Sequence, residues 1–355
     1  MHRRTLLPAF PSAFFYRRAM QTISSSRKVI YDTDPGVDDA MALYYALAHP
    51  GIDVVGITTT FGNVSVDQAV TNALYLTALA GRQVPVARGA ATPLAKHAEA
   101  PPAFIHGADG LGNLPGRLPV AGQADPRSAA QMMVDMARAQ PGEITLVAVG
   151  PLGNLAAALA LEPQLPQLLR EVIIMGGAVV EPGNVSPVAE ANIWNDPHSA
   201  DQVFTAGWKL TMVGLDVTHQ VIVPLAMIRQ IAEQQQHPAC DTLLHAVGFY
   251  ANFYSNLYPH VAAIHGCFGH DVLAFMALTN PEYFQQESGR VRVATDGLAQ
   301  GQTMMRRKAI DYPQAGWGAN VPDTQVCLQV DAAACLETIA KTLGGNWLRA
   351  PLLQN

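Results

Sequence analysis

The chain is poor in charge. Asp, Glu, Lys and Arg make up 14% of its 355 residues, against 49% hydrophobic residues. That balance leaves a sizeable core available and requires most loops to be short or packed. Positive charge is scarce as well: 22 Lys and Arg face 28 Asp and Glu, a net charge of -6. Such a surface argues against a nucleic acid partner, which a protein meets with a basic face. No apolar run approaches the ~20 residues that a membrane helix needs, so no membrane partner is expected. Cysteine is rare: Cys240, Cys267, Cys327 and Cys335 are scattered, with no CxxC pair. They read as reduced, mostly buried thiols in a reducing compartment, which points to the cytoplasm. Internal repeats and linkers are also missing. The length exceeds the usual single-domain mode but suits one large α/β domain with insertions.

The first 27 residues differ from the rest. They are basic, hold no acidic residue and mix Pro with Phe. A twin-arginine or transit-type signal would need an apolar centre and a cleavage site, and neither stands out. The stretch reads as a disordered extension or a mistaken upstream start, with Met20 as the alternative initiator. The domain is accordingly drawn from residue 28 to 355.

From Lys28 the pattern becomes strand, turn, helix, repeated. Strands are predicted at Val29–Tyr31, Ile52–Thr60, Gln83–Ala87, Ile144–Val149, Val172–Met175 and Leu210–Leu215, and helices at Asp38–Ala48 and Val66–Ala80. The nearly unbroken apolar run of the strands near 144 and 172 marks them as buried on both faces. Strands alternating with helices predict a mostly parallel central sheet flanked by helices, a Rossmann-related α/β fold. From Pro224 the chain reads as helical to about residue 280. Strands at Gly289–Ala294 and Thr324–Val330 and a helix at Ala332–Leu343 follow. Two long glycine-rich stretches, 88–125 and 176–196, interrupt the alternation. Loops of that length in a compact domain are usually functional, and both leave the carboxyl ends of strands, where open α/β sheets bind ligands.

The densest chemistry lies at the first of these ends. DTDPGVDDA places Asp32, Asp34, Asp38 and Asp39 within eight residues around a Pro35-Gly36 turn. A helix N-terminus favours one or two acids. Four crowded carboxylates repel one another unless a cation neutralises them, and oxygen-only ligands suit Ca²⁺ or Mg²⁺. A DxD after a first strand also occurs in haloacid-dehalogenase-type phosphatases, which usually continue as DxDG, where this chain has Pro35.

With its further motifs the sequence resembles the inosine-uridine-preferring nucleoside hydrolase family. The motifs run in order from about Lys28: DTDPGVDDA (32–40), TTTFGN (58–63), HGADGLG (106–112), LVAVGPLGNLA (146–156), IIMGG (173–177), GNVSPVAEANIWNDP (183–197), MVGLDVTH (212–219) and GHD (269–271). The resemblance implies hydrolysis of the N-glycosidic bond of ribonucleosides through an oxocarbenium-like transition state. It implies a Ca²⁺ cofactor held by Asp34, Asp39, Asp271 and the main-chain carbonyl of Val149, with Asp34 also the general base on the metal-bound water. Many relatives have Thr at position 149, and a backbone ligand tolerates Val. Asp38, Asn63, Met175, Asn184, Glu190 and Asn192 would line the ribose pocket, with Asp271 bordering the substrate. Amides and carboxylates match hydroxyls that both donate and accept.

His270 would assist the leaving base, carried to the site by its neighbour Asp271. His106, in the glycine-rich HGADGLG loop, would close over substrate from a mobile segment. Tyr254 and Tyr258, one helical turn apart, are candidates for stacking on the base. Trp194 and Trp208 read as packing residues and His219 as structural or a rim residue. Ala191 stands where many relatives have Phe, which would widen the pocket, and Val272 where Pro is common. His270 favours the branch with broad or pyrimidine-tolerant preference. A homodimer or homotetramer acting on a small-molecule ribonucleoside is the implied organisation. The readings set against this one are a non-catalytic nucleoside- or calcium-binding protein and the phosphatase.

Overall fold

The computed structural model describes residues 26–354 apart from 309, 311 and 319. The expectations for the start of the chain, Met20 included, lie outside the described residues up to position 25. Runs rich in β-branched and apolar residues form the strands: β1 (Arg27–Thr33), β2 (Ile52–Thr59), β3 (Val86–Arg88), β4 (Ile144–Ala148), β5 (Glu171–Met175) and β6 (Leu210–Val213). Five more follow: β7 (Ile222–Pro224), β8 (Gly266–Phe268), β9 (Phe284–Val293), β10 (Thr303–Met305) and β11 (Asp323–Val330).

Among the described residues, nine strands join in one sheet, ordered β10-β9-β11-β6-β5-β4-β1-β2-β3. The stretch from β3 to β11 is parallel throughout, and β9 and β10 add an antiparallel edge. β7 and β8 form a separate antiparallel pair. The mostly parallel α/β sheet flanked by helices is therefore present, in a single domain.

The parallel strands are covered on both faces, as their apolar runs require. Val29 and Tyr31 of β1 enter one core layer and Ile30 the other, following the period of two along a strand. The first layer is closed by the helices Val37–Ala48, Val66–Leu79, Pro238–Leu257, His270–Thr279 and Ala332–Leu343. The second is closed by Ala129–Ala139, Gly153–Leu161 and Pro197–Phe204. Tyr31 meets Phe275 with ring centroids 5.0 Å apart, which ties the first strand to the helix carrying Asp271. Burial of an aromatic of this kind stabilises by about 1.5–3 kcal/mol. Hydroxyl and carboxylate caps start several helices: Ser65 accepts from the Gln68 amide, Ser128 from Gln131 and Asp331 from Ala334.

Three features differ from the sequence expectation. The stretch from 224 to 280 is not continuously helical, because β8 interrupts it between the helices Pro259–Ile264 and His270–Thr279. Gly266 makes that possible: it passes so close to the Val223 carbonyl that no side chain fits. β9 starts at Phe284, five residues earlier than its apolar part, since the polar Gln285–Ser288 run pairs with β11 through its backbone. β10 is a three-residue edge strand with too little pattern to detect.

β1 has β2 on one side and β4 on the other, and the chain reverses its direction of travel across the sheet between these neighbours. The turns leaving β1 and β4 therefore diverge and open a crevice at the carboxyl ends. The acidic turn and the Val149–Asn154 turn face each other across it.

Candidate active site

The floor of this crevice is built from carboxylates. β1 ends at Thr33, and Pro35-Gly36 turns the chain into the helix Val37–Ala48, whose first turn carries Asp38 and Asp39. Asp39 folds back on the turn. It accepts from the Thr33 hydroxyl (2.5 Å), the Gly36 amide (2.9 Å), the Asn63 side chain (2.9 Å) and the Asp34 amide (3.3 Å). Asp34 accepts from the Asn63 amide at 2.7 Å through one oxygen. It fits only because its neighbours lack side chains. A Cβ on Gly62, whose φ is +149°, would overlap its carboxylate, and one on Gly150 would lie 2.7 Å from its other oxygen.

Asp271, in the first turn of the helix His270–Thr279, reaches the same place from the far end of the chain. Oxygens of Asp38, Asp39 and Asp271 all lie within 4.8 Å of one another. The closest triad thus includes Asp38, which the resemblance places on the ribose, while Asp34 stands directly beside Asp39.

All four acids are buried. Burial, then the charge of Asp39, pushes Asp34 well above the usual carboxylate range and Asp38 up to about 8. Burial raises Asp39 too, and burial with the charges of Asp38, Asp39 and Asp34 raises Asp271 well above that range. One oxygen each of Asp34 and Asp38 is buried without a hydrogen-bond partner. Among the described residues no Lys or Arg lines the cavity above them. Buried, unpaired oxygens with no counter-charge are what a hard cation would satisfy, so the donor set fits a divalent metal ion.

Above the floor lies a cavity of about 890 Å³. Asp38, Asn63, His106, Val149, Met175, Asn184, Glu190, Asn192, His270 and Asp271 line it, so the expected site residues, with Asp34 and Asp39 beneath, are brought together. Asn192 donates to the carbonyls of Val149 (2.7 Å) and Met175 (3.2 Å), linking the ends of β4 and β5. Glu190 caps the short helix Ala191–Asn195, accepting from the amides of Asn192 and Ile193, and also receives the Gly177 amide. Asn184 sits at the exposed rim, where its side-chain oxygen receives the Ala191 amide at 3.0 Å.

His106 is not in an open segment. It is buried at the end of a four-residue helix, Ala103–His106, and its Nδ1 accepts from the Val37 amide at 3.2 Å. The following loop is held by Asp109, whose carboxylate accepts from the amides of Leu111, Asn113 and Leu114. Burial lowers the His106 imidazole to about 3.

The opposite wall carries an aromatic and imidazole group. The Tyr250 hydroxyl donates to Asp38 at 3.3 Å, Tyr250 and Tyr254 share a hydrogen bond of 3.1 Å, and Tyr254 meets Nε2 of His270 at 2.9 Å. Nδ1 of His270 lies 2.8 Å from the Thr218 hydroxyl. Burial, helped by His219 and His106, holds His270 well below the ordinary imidazole range. The tyrosine expectation is half met: Tyr254 lines the cavity, but Tyr250, one turn earlier, takes the place given to Tyr258. Tyr258 packs its ring near Phe268 instead.

Trp194 also departs from a packing role. It lines the mouth, with the Lys96 ammonium over its ring and its Nε1 donating to Glu99. Trp208 is buried, and His219 stacks on Phe268. Sequence reasoning missed Asp216, which accepts from the amides of Val179, Val180 and Glu181 and pins the loop leading to Asn184 and Glu190.

Comparison with known proteins accounts for this arrangement. The family model for inosine-uridine preferring nucleoside hydrolase matches residues 29–337. A probable uridine nucleosidase 2 of Arabidopsis thaliana is 38% identical over 323 residues, covering 90% of this chain and 98% of that protein. An inosine-uridine preferring nucleoside hydrolase of Leishmania major is 36% identical, covering 79% of this chain and 87% of that protein. The solved structure of a plant nucleoside hydrolase, the PpNRh1 enzyme, superposes with a TM-score of 0.84 at 36% identity, over 90% of this chain and 99% of its own. Neither the phosphatase nor the non-catalytic reading is favoured by these matches. The chain belongs to the inosine-uridine preferring nucleoside hydrolase family and is an N-glycosyl hydrolase that cleaves ribonucleosides to ribose and free base.

Proposed function

We propose that the buried carboxylate floor is a calcium site and that its residues divide the reaction between sugar and base. Asp34, Asp39, Asp271 and the Val149 carbonyl hold the ion, an all-oxygen set of the kind calcium takes. When bound, calcium supplies a Lewis acid that orders the ribose diol and acidifies the attacking water. Asp34 accepts the proton of that water; its unpartnered buried oxygen supports this role. Asp38 and Asn192 hold the 2′ and 3′ hydroxyls, and Asn184 and Glu190 the 5′ side. Asn63 braces Asp34 and Asp39, and Met175 packs against the sugar. His106 closes the wall beside Asp38. His270, neutral in its buried setting, donates a hydrogen bond to the departing base.

One observation carries this reading: four buried acids, two of them with a partnerless oxygen, lie at one cavity with an imidazole, and among the described residues no Lys or Arg lines it. Uridine belongs among the substrates, as the names of the plant relatives and the His270-tyrosine wall support. Free buried cysteines support work in the cytoplasm. We infer also a homodimer or homotetramer, measurable by light scattering.

Asp34→Ala tests the mechanism. We expect it to remain folded by circular dichroism and to lose about a thousandfold or more in kcat on uridine and inosine, at the upper end of general-base effects. EGTA should abolish wild-type activity and added Ca²⁺ restore it. Hydrolysis unaffected by either change would overturn the assignment.

A further inference from the structure

Thr218 ends a four-residue helix, Leu215–Thr218, and is fully buried. Val217 and Val221 on either side belong to the apolar core layer, where a hydroxyl is costly to bury unless it is hydrogen-bonded. Its hydroxyl has one hydrogen-bond partner among the described residues, Nδ1 of His270 at 2.8 Å. The other face of that imidazole continues through Tyr254 and Tyr250 to Asp38.

The direction of every link follows from proton counting. The Tyr250 hydroxyl donates to the Asp38 carboxylate and so has no proton left for Tyr254. Tyr254 therefore donates to Tyr250, and its oxygen accepts from His270. Nε2 then carries the imidazole proton, and bare Nδ1 needs a donor, which Thr218 supplies. The reverse polarity would aim the Tyr250 lone pairs at the Asp38 carboxylate. The stacked rings of Phe268 and His219 lie 5.6 and 5.8 Å from that of His270, on one side of the imidazole.

We propose that Thr218 is a positioning residue: its hydroxyl donates to Nδ1 and fixes His270 as the Nε2–H tautomer, with that proton resting on the Tyr254 oxygen at the cavity wall until a departing base takes that oxygen's place. The proposal rests on His270 assisting the leaving base. It assigns to the MVGLDVTH segment a part in leaving-group chemistry without contact to substrate.

The test uses the full-length, calcium-supplemented enzyme with ¹⁵N-labelled histidine, the His270 signals being identified by their loss in His270→Gln. Long-range proton–nitrogen spectra should show a protonated Nε2 and a bare Nδ1 in wild type and Thr218→Ser. Thr218→Val should lose this single-tautomer signature. Its kcat on uridine should fall about fivefold, the worth of one hydrogen bond, with KM changed less than about twofold. Turnover of p-nitrophenyl riboside, whose leaving group needs no proton, should be unchanged, and Thr218→Ser should restore uridine turnover. A wild-type Nδ1–H tautomer, or equal slowing of both substrates in Thr218→Val, overturns the proposal. The tautomer measurement decides it even if the valine variant fails to fold. His270→Ala separates the two readings. If it hydrolyses uridine normally, the role of His270 falls; if it is slow while Thr218→Val is not, only the role of Thr218 falls.

Discussion

Removing calcium should destabilise the protein by an amount that grows with pH. In the folded state the floor acids have raised values, about 8 for Asp38 against 3.8 in a free side chain. A group raised in this way contributes stability that is fully present below its unfolded value and is lost as pH rises through its folded value. Asp34, Asp39 and Asp271 shift in the same direction. The metal-free protein should therefore lose stability steadily between about pH 4 and pH 8. Calcium bound as proposed would reverse the loss, since it would take the ionised form that the bare site resists. At a concentration about 1,000 times its dissociation constant, a ligand adds about 4 kcal/mol. A chain of this size unfolds with an entropy of about 0.7 kcal/mol/K, so the gain corresponds to about 6 °C in Tm. Differential scanning calorimetry with calcium and with EGTA, at pH 5, 6, 7 and 8, measures it. The Tm gap should be small at pH 5 and approach about 6 °C at pH 8. A gap that is constant with pH, or widest at pH 5, would show that these acids do not hold the ion.

Two further outcomes follow from buried groups beside the site. Asp32 lies beneath the floor, accepting from Thr58 (2.6 Å) and Asn154 (2.7 Å) through one oxygen, the other being partnerless; burial raises it to about 7. Asp32→Asn keeps both bonds and removes a charge that costs about 4 kcal/mol once ionised, so its Tm should exceed that of wild type at pH 8 and match it near pH 5. An equal or lower Tm at pH 8 would count against a raised Asp32. Gly62→Ala forces a Cβ into the Asp34 carboxylate at a φ of +149°. Its kcat should fall at least about a hundredfold, as displacing a catalytic group by an ångström does, with helix content by circular dichroism retained. Near-normal kcat would place Asp34 outside the reaction.

The fold was legible where physics acts over short distances. Unbroken apolar runs at β4 and β5 announce burial on both faces, and Pro35-Gly36 among four acids announces a cation site at a strand end. What stayed hidden depends on partners far along the chain. Tyr250 looks like any core aromatic on the helix Pro238–Leu257 until Asp38, 212 residues away, is placed beside it. Asp216 reads as a helix-start acid, yet its carboxylate pins amides about 36 residues earlier. His106 sits among glycines, which implied mobility. In the fold those glycines also allow close packing: a Cβ on Gly107 would lie 2.5 Å from the Asn113 amide. β8 and β10, three residues each, are too short for any periodicity.

His270 and Asp271 are consecutive, one on the wall proposed to meet the base and the other on the floor proposed to grip the sugar. Change among paralogues is therefore unevenly permitted. Trp194 and Phe253, which line the cavity outside the hydrogen-bond chain from Asp38 to His270, are free to drift toward new bases, because neither shares a peptide with a proposed ligand. His270 has no such freedom, for any backbone shift that re-aims it drags Asp271 along. Laboratory selection for altered base choice should accordingly gather its changes on the Pro238–Leu257 helix and the cavity mouth, and leave the Gly269–Asp271 turn untouched.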